Sequence, residues 1–258
     1  MNYFKKSLGQ NFLIDKNIIK KIINLIDIKN KNILEIGYGR GAKTEKIIKK
    51  KPKTLLIIEK DFILYKNLKS KYSKLKNVEV LNLDILKLDI EKKIKKNTVV
   101  FGNLPYNISS QILIKFIKLK NCSSFTDLIF MFQKELGEKI ICNYPCTNYG
   151  RISIIRNYKL KVQGKFLVSP TCFFPIPKIN SMVIHFKPHK NLLFKIKNIN
   201  NLEKVTNLIF SNKRKMINKS IKKILKKDQV PKNLNLNKRP DEINPEMYYE
   251  IVMIYERG

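Results

Sequence analysis

From residue 30 to about 145, short apolar runs alternate with helical stretches, and this alternation constrains the fold more than any other feature of the chain. The runs at 33–36, 55–58, 78–83, 99–101 and 128–132 read as strands. The stretches 42–51, 61–72, 107–120 and 133–143 read as helices, and 15–28 as a further amphipathic helix. In that first helix Asp15 is the N-cap, and Ile18, Ile19, Ile22, Ile23 and Ile26 share one stripe. Strand–helix alternation of this kind predicts a Rossmann-like α/β fold, a parallel, doubly wound sheet.

The pattern changes after Gly150. Residues 158–168 and 179–186 read as extended, on either side of the proline-rich Phe173-Phe174-Pro175-Ile176-Pro177. From about 199 onward the chain reads as helical only. There, 213–227 places Met216, Ile217, Ile221, Ile224 and Leu225 on one face, with Lys219, Lys222, Lys223, Lys226 and Lys227 on the others. The expected division is a Rossmann-like domain over 1–190 and a small, basic helical domain over 191–258.

A chain of 258 residues with 43% hydrophobic content can bury a full core, as one large domain or a large and a small one. It has no apolar run of membrane-spanning length, and its start lacks the apolar core of a signal peptide, so a soluble cytoplasmic protein is expected. Lysine and arginine outnumber acidic residues 53 to 20, a formal charge of +33. Such a field calls for a polyanionic partner, nucleic acid first. Part of the excess is discounted, because Lys, Asn, Ile, Phe and Tyr all have A/T-rich codons and crowd this chain together. Cys122, Cys142, Cys146 and Cys172 form no metal pattern and read as small buried thiols in a reducing compartment. His185 and His189 are interrupted by Pro188 with no carboxylate in their segment, so no metal site is expected.

Glu35-Ile36-Gly37-Tyr38-Gly39-Arg40-Gly41 follows the first predicted strand of the alternating region and precedes a helix. Glycines let the backbone turn sharply and let a ligand approach the main chain. The next strand ends in Glu59, roughly 20 residues on, where a carboxylate can grip ribose hydroxyls. The third strand leads to Asp84, placed to accept from an adenine amino group. A dinucleotide could use this spacing too. The loop is Gly-x-Gly-x-Gly, without the third glycine of Gly-x-Gly-x-x-Gly, and acidic Glu35 beside it suits a cationic sulfonium. Both features favour S-adenosylmethionine.

Phe101-Gly102-Asn103-Leu104-Pro105-Tyr106 lies where a buried strand emerges into a loop. The amide oxygen of Asn103 can accept from an exocyclic amine, Pro105 fixes the turn, and the Tyr106 ring offers a stacking face. The same residues also suit a plain strand-to-helix turn with Asn103 or Asn107 as N-cap.

With these motifs in order, the chain resembles the small-subunit ribosomal RNA adenine N6,N6-dimethyltransferases over nearly its whole length. The matching segments are Ser7-Leu8-Gly9-Gln10-Asn11-Phe12-Leu13, Glu35 to Gly41, Ile58-Glu59-Lys60-Asp61 and Gly102-Asn103-Leu104-Pro105-Tyr106-Asn107-Ile108-Ser109. Further along come Phe132-Gln133-Lys134-Glu135, Tyr149-Gly150-Arg151-Ile152-Ser153, the Phe173 to Ser181 segment and the basic turn Asn212-Lys213-Arg214-Lys215-Met216-Ile217. The resemblance implies cofactor contacts from Asn11, Leu13, Gly37, Glu59, Asp84 and Asn103. It implies that Asn103 and the Leu104 carbonyl hold the target adenine, with Pro105 shaping the turn, Tyr106 stacking and Phe173 closing the other face. The chain departs from the family at Tyr38 (usually Pro), at the charged Arg40, and at Gly137 and Lys139.

The expected activity is dimethylation of N6 on two adjacent adenines near the 3′ end of small-subunit ribosomal RNA, by a monomer acting on the small subunit during ribosome assembly. A resistance-type large-subunit adenine methyltransferase and a non-catalytic assembly factor are the alternatives. A DNA adenine methyltransferase and an NAD-dependent enzyme fit the motifs less well.

Overall fold

The computed structural model describes residues 11–39, 41–120 and 124–258. Residues 7–10 of the N-terminal motif, Arg40 and Cys122 lie outside the described residues. The chain begins β1 (Phe12–Leu13), α1 (Lys16–Ile23), β2 (Asn32–Ile36), α2 (Ala42–Lys49), β3 (Thr54–Glu59), α3 (Phe62–Lys71) and β4 (Val78–Asn82). Next come α4 (Ile90–Lys93), β5 (Thr98–Asn103), α5 (Ser109–Ile117), β6 (Phe125–Gln133), α6 (Lys134–Ile141) and α7 (Arg151–Lys159). It ends with β7 (Leu160–Val168), β8 (Phe173–Phe174), β9 (Ser181–Pro188), α8 (Ile199–Phe210), α9 (Asn218–Ile221) and α10 (Pro245–Tyr255).

One compact unit comprises residues 1–137 and 162–188. Its sheet runs β4-β3-β2-β5-β6-β9-β7. β2, β3, β4, β5 and β6 pair in parallel, as the strand–helix alternation predicts, and β9 joins β6 antiparallel. Alternate residues bury opposite faces, so both layers are apolar. Ile33, Leu55, Ile57, Val99, Phe101, Ile129 and Met131 pack with Ile19, Ile22 and Ile23 of α1, Ile47 of α2 and Leu68 of α3. On the other face Phe116 of α5 meets Phe130 edge-on, and Phe132 and Phe186 continue the chain of rings. Asp15 caps α1 as expected, its Oδ1 accepting from Asn17 N and Ile18 N at 2.8 and 2.9 Å.

The other unit comprises 138–161 and 189–258, so the segment 138–161, assigned to the sheet domain from the sequence, groups with the tail. In it α7 and α10 pack on α8 and on each other. Arg156 of α7, 2% exposed, donates to the carbonyls of Ile140, Cys142 and Leu160 and to Asn143 Oδ1 and Asn157 Oδ1. Burial pushes its guanidinium down to about 10. α7 shows no one-sided apolar stripe in the sequence, because Ser153, Ile154, Ile155, Arg156, Tyr158 and Lys159 are all buried.

Three further expectations are corrected. Cys142 and Cys146 are not free thiols but a disulfide: the turn between them brings their Cα atoms to 6.0 Å, within bonding reach. His185 does have a carboxylate partner, Asp127 on the neighbouring strand, at 2.7 Å. Among the described residues no cluster could hold a metal ion. The stretch 213–227 is mostly turns, with helix only at Asn218–Ile221. Lysines at i and i+4, such as Lys219 with Lys223 and Lys222 with Lys226, repel along a helix. Ile217, Ile221 and Leu225 are still buried, whereas Met216 is exposed. No helix among the described residues is long and apolar enough to cross a membrane.

Candidate active site

β2 and β5 are neighbours, Ile36 opposite Gly102, and the strands that follow each of them lie on opposite sides of the pair. A crevice opens outside the carboxyl ends of parallel strands at such a switch point. The glycine loop leaves β2 there, and Asn103 closes β5.

Gly37, Gly39 and Gly41 adopt φ of +70°, +63° and +83°. At Gly37 the need for glycine is twofold, since a Cβ would also sit 2.8 Å from the Asn103 carbonyl oxygen. The loop and the end of β5 therefore touch backbone to backbone. Glu59, ending β3, faces the loop: its Oε2 accepts from Tyr38 N at 3.2 Å and its Oε1 from Asp61 N at 2.8 Å. Burial raises the Glu59 carboxyl above its usual range although these N–H groups pull it down.

Asn11, Gly37, Gly39, Glu59, Asn103 and the turn from Leu104 to Ile108 line one cleft. Asn103 Nδ2 donates to the Asn11 carbonyl at 3.1 Å, which fixes the amide plane. Tyr106 bonds Ser181 Oγ through its hydroxyl at 2.6 Å, and burial raises the phenol. α5 starts with Ile108 at its N-cap and no side-chain cap, so the plain capping role for Asn103 or Asn107 is not what the structure shows.

Four expected residues stand apart from the cleft wall. Leu13 lines a small adjoining cavity that shares Gly37, Gly39 and Asn103 with the cleft. Phe173, opposite Leu13 in the antiparallel β1–β8 ribbon, is 1% exposed and belongs to the core. Asp84 is held by Lys60, Nζ to Oδ2 at 2.9 Å, and by Leu86 N at 2.9 Å. Burial works to raise its carboxyl, but these contacts take it below the usual range. Glu35, expected to face a sulfonium, is wholly buried and lines neither space. Conversely, Lys60 and Leu64 line the cleft without having been singled out. A signal for Lys60 existed in the sequence, its place directly after the strand-ending Glu59.

The family model described as "Ribosomal RNA adenine dimethylase" matches residues 1–257. The chain belongs to the ribosomal RNA adenine dimethylase family. It is 43% identical to a protein of Pelagibacter ubique named ribosomal RNA small subunit methyltransferase A, over 98% of this chain and 97% of that one. A protein of the same name from Mycoplasma mobile is 38% identical, over 98% of each chain. Among solved structures, a dimethyladenosine transferase from Plasmodium falciparum superposes with a TM-score of 0.78 at 25% identity, covering 95% of this chain and 98% of that one. The 23S rRNA methyltransferase ErmE shares the fold, with a TM-score of 0.70 at 20% identity over 95% and 99%.

Proposed function

We propose that this member of the dimethylase family transfers methyl groups from S-adenosylmethionine to N6 of two adjacent adenines near the 3′ end of small-subunit ribosomal RNA. The observation that carries the reading is Asn103, held by the Asn11 carbonyl at the rim of a cleft and in backbone contact with Gly37. Two nearly full-length relatives bearing a small-subunit methyltransferase name support it over the large-subunit alternative.

The residues fit the cofactor. Gly37 and Gly39 line the cleft without side chains, and Gly37 packs so closely on the Asn103 carbonyl that a Cβ has no room. The Glu59 carboxylate, held by the backbone N–H groups of Tyr38 and Asp61, lines the cleft as an acceptor suited to ribose hydroxyls. In this reading Asn11, Leu13, Gly37, Glu59, Asp84 and Asn103 hold S-adenosylmethionine, which supplies a methyl group activated by its positive sulfur.

The Asn103 amide oxygen and the Leu104 carbonyl accept from the adenine amine and aim its lone pair. Positioning of this kind supplies most of the catalysis. Tyr106, anchored through Ser181, stacks on the base; at about 1–3 kcal/mol, stacking offsets much of the few kcal/mol needed to unstack it from RNA. The role assigned to Phe173 requires the β1–β8 ribbon to release it from the core. The basic tail contacts RNA, and the protein works as a cytoplasmic monomer.

Primer extension on unmethylated small subunits incubated with protein and cofactor tests the reading. Stops at two adjacent adenines near the 3′ end are expected. A stop in large-subunit RNA, or none, overturns it.

A further inference from the structure

Below the glycine loop lies a charge pair that the proposed chemistry does not use. Glu35 of β2 is wholly buried, flanked on the neighbouring strands by Ile57 and Phe101. Its Oε2 accepts a 2.5 Å hydrogen bond from Thr44 Oγ1. Its Oε1 has no hydrogen bond among the described residues and faces the Lys43 ammonium at 3.4 Å. Lys43, whose side chain is 9% exposed, follows Ala42 in the first turn of α2. One partner is thus fixed in the sheet and the other in the helix, with the three left-handed glycines between them. Lys43 also lines the small cavity that shares Gly37, Gly39 and Asn103 with the cleft.

We infer that Lys43 is a positioning residue for the cofactor, its ion pair with Glu35 tying α2 to β2 and holding Gly37 and Gly39 in the shape the ligand meets. The inference rests on the proposed function. Glycine backbones have the most conformational freedom to lose, so a loop built of them needs fixing at both ends. A buried carboxylate deprived of its cation is strongly disfavoured, whereas removing both charges together is often neutral.

That asymmetry gives a test that loss of packing alone would not mimic. The titratable groups around Glu35 are Lys43 of α2, Tyr38 of the loop and Tyr72 at the end of α3; Glu45 of α2 is engaged by Lys71 at 2.6 Å. Burial raises the Glu35 carboxyl, and Lys43 and Thr44 pull it back. Without Lys43 it rises further. A carboxyl raised on folding contributes stability that is present below its unfolded pKa and lost as pH rises through the folded one. The deficit of Lys43→Met against wild type therefore grows with pH.

The experiment measures S-adenosylhomocysteine binding by calorimetry and thermal unfolding of the ligand-free full chain from pH 5 to 9. The variants are Lys43→Met, Lys43→Arg, Glu35→Gln and the double variant Lys43→Met with Glu35→Gln. Expected are an affinity loss of tenfold or more in Lys43→Met, a melting deficit that widens with pH, and recovery of most of both in the double variant and in Lys43→Arg. Wild-type affinity in Lys43→Met, or a double variant as impaired as the worse single one, overturns the inference alone. No ligand binding by the wild type overturns the cofactor reading, and with it the role of Lys43.

Discussion

Asn103→Ala removes the amide proposed to meet the adenine amine, and is expected to lower methyl transfer by at least about 10²-fold. Asn103 donates only to the Asn11 carbonyl among the described residues, so circular dichroism and melting temperature should stay near wild type. Gly37→Ala behaves differently. Its Cβ meets the Asn103 carbonyl oxygen at 2.8 Å and its φ is +70°, so a stability loss of roughly 1–3 kcal/mol is expected in urea titration, with weakened ligand binding. At this scale Gly37, Glu59, Asn103 and Tyr106 were legible because each sits where a strand ends, and strand ends can be read from apolar runs. The direction of a side chain could not be read. Glu35 alternates to the helix-covered face and pairs with Lys43, Asp84 is taken by Lys60, and Phe173 turns inward beside Leu13.

Arg156→Met strips hydrogen bonds from the carbonyls of Ile140 and Cys142 at the end of α6 and the start of the disulfide turn. Each buried acceptor left unpaired costs about 1–3 kcal/mol, so a loss on the order of 3 kcal/mol is expected by urea unfolding. The pairing of β6 with β9 carries its own pH dependence. Burial acts to raise the Asp127 carboxyl, but His185 and Lys187 bring it below the usual range. A depressed carboxyl contributes stability that is present above its unfolded pKa and lost as pH falls through the folded one. Wild type should therefore lose stability below about pH 4 more steeply than Asp127→Asn, as melting curves would show. The strands of the parallel sheet were legible as apolar runs. The two-residue strands β1 and β8 are too short to show a period, and α7 is buried on too many sides to show a stripe.

The charge of +33 belongs to the whole molecule, and its meaning is settled by salt. If the lysine excess serves RNA, affinity for unmethylated small subunits should fall by about 10³–10⁵ between 50 and 200 mM salt, as for 6–10 phosphate contacts. A flat profile by filter binding would assign the excess to codon drift instead. The helical, lysine-rich stretch from about residue 199 pointed to a separate C-terminal part, but the grouping of 138–161 with that part was not legible, because contacts distant in sequence leave no local pattern. At the scale of the whole molecule, the proposed function is methyl transfer to adjacent adenines through Asn103. It is tested most directly with radiolabelled S-adenosylmethionine and unmethylated small subunits, comparing wild type with Asn103→Ala. Label is expected in two neighbouring adenines near the RNA 3′ end with wild type and none with the variant. Subunit binding without label by the wild type, or equal labelling by both proteins, would contradict it.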